Sequence, residues 1–122
     1  MGTWGAGNFD NDTAADHVSQ VVSRLVQEIT EAIEDPSSLE PDEYGGTMVP
    51  CNVELLTLIV KQGWTGAELN AVTISNVRAW KSTYMGVWEQ SIDELDPKAA
   101  WKIERRQVLE LTFDALIQIA ES

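Results

Sequence analysis

Nothing constrains the fold of this chain more than the apolar rhythm that sets in after residue 17. Val18, Val21 and Val22, Leu25, Ile29 and Ile33 recur every three or four positions, with Gln20, Arg24, Gln27, Glu28 and Glu31 between them. That spacing is the period of one helix face. Pro36 ends it, so the first helix is predicted over about 11–34. Residues 34–46, EDPSSLEPDEYGG, hold two prolines, two glycines and two serines without a period, and read as an exposed acidic loop.

The same reasoning divides the remainder. Proline is tolerated in a first helical turn and glycine caps a helix end, so a second helix is expected over about 50–62, between Pro50 and Gly63. Its segment VELLTLIV is apolar on most sides, as in the central helix of a small bundle; length favours helix over a buried strand. Thr65-Gly66-Ala67-Glu68 has the form of a capping box. From it a third helix is expected over about 66–92, with a stripe of Thr73, Val77, Trp80, Tyr84 and Val87/Trp88 and its weakest point at Ser82–Thr83. Asp96-Pro97 reads as an N-cap with proline at the first helical position. The fourth helix, about 97–120, then carries Trp101, Val108, Phe113 (or Thr112), Leu116 and Ile119/Ala120 inward. No repeat interrupts this order. The expectation is one all-α domain over 1–122, a compact four-helix bundle with an extended Gly/Trp-rich arm, residues 1–10, packed on it.

Composition narrows the functional classes. No apolar run approaches the ~18 residues of a membrane span, and the start lacks the basic-then-apolar pattern of a secretory signal. Ala6 stands where a myristoylation motif requires Ser or Thr. The single cysteine, Cys51, excludes an internal disulfide and fits a reducing, cytoplasmic setting. The net charge is −12, and residues 1–60 carry eleven acids against one base, Arg24. Such a field repels nucleic acid and steers a basic protein inward; its plainest alternative role is solubility.

The opening MGTWGAGNFDNDTAAD fixes Gly2, Trp4, Gly5, Gly7, Phe9, Asn11, Asp12, Ala14 and Asp16 in an order that resembles a bacterial family of unknown function with the amino-terminal signature M-G-x-W-G-x-G-x-F-x-N-D-x-A-x-D. Beyond the arm the likeness is looser. Asn52-Val53-Glu54 stands where the family tends to have Ala-Ala-Glu, Trp88-Glu89 keeps part of a Leu-Trp-Glu sequence, and Trp101 matches a tryptophan starting the last helix. The resemblance implies a small, mainly helical domain and no assigned activity. Some small bacterial proteins of this kind serve as immunity proteins for toxins.

The arm itself offers two chemistries. Gly5 and Gly7 fit a phosphate loop only after a strand and before a lysine, and neither context is present. The alternative is an arm lying close on the helices, anchored in the core by Trp4 and Phe9. Asp10, Asn11, Asp12 and Asp16 could collect oxygen ligands for Mg²⁺ or Ca²⁺, but Ala14 occupies the third ligand place of an EF-hand. Helix capping by Asp10 or Asn11, with Asp12 and Asp16 at the positive helix end and Phe9 stapled on Ala14, needs no metal. His17 and Cys51 have the chemistry of a nucleophile pair, yet nothing local orients either, and Cys51 is expected in the core. Glu54 lies in an apolar helix; with Thr57 and Lys61 it forms a polar stripe.

The reading that follows is a non-enzymatic, acidic protein-binding domain, acting on a basic toxin or nuclease as an inhibitor. Its expected contact residues are Glu31, Glu34, Asp35, Glu40, Asp42, Glu43 and Tyr44, with Trp64 as an exposed turn aromatic. No cofactor, metal, nucleic acid or membrane is expected, and the chain is expected as a monomer or weak homodimer. The alternative is a small hydrolase or ligand-binding enzyme that holds a divalent ion on Asp12, Asp16 and Glu54.

Overall fold

The computed structural model describes residues 3–68 and 74–121. Among them are α1 (Asp12–Glu34), α2 (Tyr44–Lys61), α3 (Ile74–Ser91) and α4 (Ala99–Glu121), with short 3₁₀ helices at Pro36–Leu39 and Ile92–Leu95. The architecture is an all-α bundle. Helix α1 packs on α2, α2 on α4, and α4 on α3.

Helix α1 starts as its sequence dictates: the Asn11 side chain accepts the Ala14 N–H at 2.8 Å. Its inner stripe buries Val18, Val22, Ile29 and Ala32. The seam between α3 and α4 is fixed by charge. Arg78 pairs with Glu121 (3.6 Å), Lys81 with Asp114 (2.8 Å) and Glu89 with Arg106 (2.5 Å), and just beyond α3 Asp93 pairs with Lys102 (2.7 Å). Low numbers on one strand of the seam meet high numbers on the other, so the helices run antiparallel. Arg106 grips Glu89 through two nitrogens and lies 5.6 Å over the Trp88 ring. The hydrogen bond from Arg106 holds the Glu89 carboxyl below its usual range.

Helix α2 departs from the expectation in an instructive way. It begins six residues before Pro50, which sits inside it. An interior proline supplies no N–H to the carbonyl four residues back, here Gly46. The hydroxyl of Tyr84 on α3 takes its place, donating to the Gly46 oxygen at 2.5 Å. Burial pushes the Tyr84 hydroxyl up to about 12, against the lowering influence of Arg105. The helix can therefore run through its proline because another helix supplies the missing donor.

Other expectations are corrected by packing. The region 34–46 is not simply an exposed loop, because Leu39 is fully buried in its 3₁₀ turn. Residues 65–68 form a turn and do not open α3, which starts at Ile74; residues 69–73, with Thr73, lie outside the described residues. Helix α3 is continuous through Ser82–Thr83. Asp96 is a left-handed residue closing the 3₁₀ turn, and α4 begins at Ala99. On α4 the buried side chains are Leu109, Phe113 and Leu116, whereas Trp101 and Val108 are exposed. The inward stripe of α4 therefore begins at Leu109, not at Trp101 or Val108.

Candidate functional site

The arm is a closed loop that Phe9, but not Trp4, anchors on the core. Thr3 bridges Asn11, the Trp4 N–H donates to the Asp10 carbonyl at 2.7 Å, and the Asp10 carboxylate accepts the Gly7 N–H at 2.9 Å. Trp4 is 54% exposed, which corrects its assignment to the core; the loop is held by its backbone instead. Phe9 packs against the core together with Trp64, on which it stacks with ring centroids 3.8 Å apart and the planes nearly parallel. That stack corrects one expectation: Trp64 is half-buried and no free turn aromatic. Gly2 lies outside the described residues.

The side chains singled out for reactive or metal chemistry are not enclosed. His17, Cys51, Asp12, Asp16 and Glu54 are all exposed, so Cys51 is not the core residue expected. Of the expected polar stripe on α2, Glu54 and Lys61 face solvent while Thr57 is buried, its hydroxyl bonded to the Val53 carbonyl at 3.2 Å. Among the described residues, the carboxylates close enough to share a cation are instead Glu40, Asp42 and Glu43.

The acidic residues, by contrast, converge. Glu28 and Glu31 lie three residues apart on one face of α1, and Asp35 is the C-cap that follows the helix. Glu43 and Tyr44 open α2 directly opposite, and the five side chains line a groove of about 390 Å³ floored by Ala32, Gly45 and Met48. The approach depends on two glycines. A Cβ on Gly45 would run into the Ser38 carbonyl, and one on Gly46 into the Glu40 carbonyl. Both positions must be glycine for the first turn of α2 to press on the 36–40 turn. Glu28 is fixed by Asn52, whose buried amide donates to its carboxylate at 2.8 Å and to the Leu25 carbonyl at 3.3 Å. Tyr44 is 80% exposed at the rim. Of the expected contact residues, Glu31, Asp35, Glu43 and Tyr44 line the groove. Glu34, Glu40 and Asp42 lie in the same segments without lining it, and Trp64 is elsewhere, on the arm.

The electrostatics are one-sided. Between Arg24 and Lys61 the sequence contains no lysine or arginine. Glu31, Glu34 and Asp35 crowd the carbonyl end of α1, which has no base in its last turn. That end of a helix carries the negative pole, so each carboxylate there costs about 0.3–1 kcal/mol where a cation would stabilise. Among the described residues no ion pair involves a groove carboxylate, whereas four bases of the second half are paired, three across α3 and α4 and Lys102 with Asp93 in the 3₁₀ turn between them. Helix stability alone would not place the acids here.

Fold and site together define an all-α domain whose α1–α2 hairpin carries an acidic, base-free groove. The chain belongs to the family described as "Domain of unknown function (DUF4259)", whose model matches residues 2–111. No curated protein and no solved structure matches it. No helix among the described residues is long and apolar enough to cross a membrane.

Proposed function

We propose that this domain is a non-enzymatic binding protein whose α1–α2 groove receives a basic segment of another protein. What supports the reading is the set of carboxylates at the negative end of α1, facing Glu43 with no base among them. Residues that disfavour the free domain are retained where a ligand relieves the cost, and a lysine or arginine side chain would do so. Tyr44 gives the groove an aromatic face for the same cation. Capture of a basic toxin or nuclease by a bacterial, cytoplasmic immunity protein is the particular form we favour, because the −12 charge would steer such a partner in.

The test is capture from cells of the native host, followed by binding kinetics at two salt concentrations. Glu31→Lys combined with Glu43→Lys should slow association and remove most of its salt dependence. Tyr44→Ala should mainly speed dissociation. A partner whose binding ignores salt and both groove variants would refute the proposal.

A further inference from the structure

A second surface has the opposite character. Helices α2 and α4 border a groove of about 330 Å³, with Leu58, Val108 and Leu111 on its walls. Leu111 is 68% exposed, Leu58 is exposed across the groove on α2, and Leu55, three residues before Leu58, is exposed as well. Buried helix faces are apolar and solvent faces polar, so a run of exposed leucines along a seam marks a surface that something covers. Two charges flank this patch on α2: Glu54 before Leu58, and Lys61 after it. They are seven residues apart, about 10.5 Å along the axis, too far to pair with each other. Among the described residues neither takes part in an ion pair.

That order is its own complement. When an α2 helix lies antiparallel on a copy of itself, a two-fold axis midway between Glu54 and Lys61, level with the step from Thr57 to Leu58, sets Glu54 of each copy against Lys61 of the other. The same operation brings the two Leu58 side chains next to each other across the axis and turns the groove that holds Leu111 toward the partner's groove. We propose that the α2–α4 face is an isologous interface with a second copy of this chain. A partner of one charge sign would satisfy only one end of the patch, whereas a second copy satisfies both. The net charge of −12 on each copy opposes association, so the dimer is weak, forming at protein concentrations on the order of tens of micromolar and above.

Sedimentation velocity of the full chain from about 1 μM to about 1 mM reads this directly. The wild-type chain should pass from monomer to dimer. Glu54→Lys and Lys61→Glu each place like charges in contact at both ends, and each should weaken the dimer at least tenfold. The double variant restores opposite charges in reversed order and should recover wild-type association. Both sites are solvent-facing, so circular dichroism should show an unchanged fold for all three variants. Leu111→Asp should abolish the dimer outright. A chain that stays monomeric at 1 mM overturns the proposal, as does a dimer indifferent to the single reversals or a double variant that fails to recover.

Discussion

Removing one oxygen atom tests the account of α2. In Tyr84→Phe the ring keeps its place, 1% exposed and 5.6 Å from Phe113, but the Gly46 carbonyl loses its donor. Pro50 has no N–H to offer, so that carbonyl is left buried and unbonded. The cost of such a group is about 1–3 kcal/mol, and we expect about 2. Unfolding entropy near 2.1 cal/mol/K per residue converts this to a melting shift of about 8 °C for a chain this size. The control is Pro50→Ala, which restores a backbone N–H four residues from Gly46. In that background Tyr84→Phe should cost no more than half as much, a coupling of about 1 kcal/mol in a double-mutant cycle. Thermal and urea unfolding of the four proteins measures it. Equal costs in both backgrounds would refute the idea that tyrosine replaces the proline's missing donor.

Three further predictions follow from the same geometry. Burial raises the Tyr84 hydroxyl from 10.0 to about 12, so its contribution is complete below pH 10 and is lost as pH rises toward 12. The wild-type chain should therefore lose roughly 1.4 kcal/mol per pH unit more than Tyr84→Phe across that window, read from urea midpoints. Trp4→Ala should cost less than about 1 kcal/mol because the ring is half in water, whereas Trp64→Ala, which breaks the stack on Phe9, should cost at least twice that by thermal unfolding. Gly66→Ala should destabilise by more than about 1 kcal/mol, since the residue has φ +94° and an added Cβ would meet the Ala15 carbonyl; unchanged stability would contradict the packing of the 62–68 turn on α1.

What could be read from the sequence was local. Helix α1 was legible because its cap and period are written into consecutive residues, and Asn11 and the Val18–Ile33 stripe stand where they were expected. The start of α2 was hidden because the feature that permits it lies on another helix, 38 residues away. Hydrophobicity could not tell Trp4 and Trp101 from Trp80 and Trp88, because a large aromatic serves equally well in a core or along a half-wet surface. At α4 the start was placed two residues early, and Val108 took the inward place that belongs to Leu109. The acidic patch was legible as a charge imbalance but not as a shape. Glu28 was missed because within α1 it is only a polar residue between apolar ones. It enters the groove through Asn52 and the pairing of α1 with α2. Gly45 and Gly46 were the available signal: adjacent glycines at a helix start mark a close backbone approach.

The groove's affinity for cationic side chains is the central claim, and a residue-resolved titration tests it most directly. The isotope-labelled domain would be titrated with a short arginine- and lysine-rich peptide, followed by amide chemical shifts at low and moderate salt, with a neutral peptide of matched length as control. The account predicts that shifts concentrate at Glu28, Glu31, Asp35, Glu43 and Tyr44, shrink as salt rises, and vanish in Glu31→Lys combined with Glu43→Lys. Shifts spread evenly over the acidic surface, centred on other carboxylates, or surviving in the double variant would contradict it.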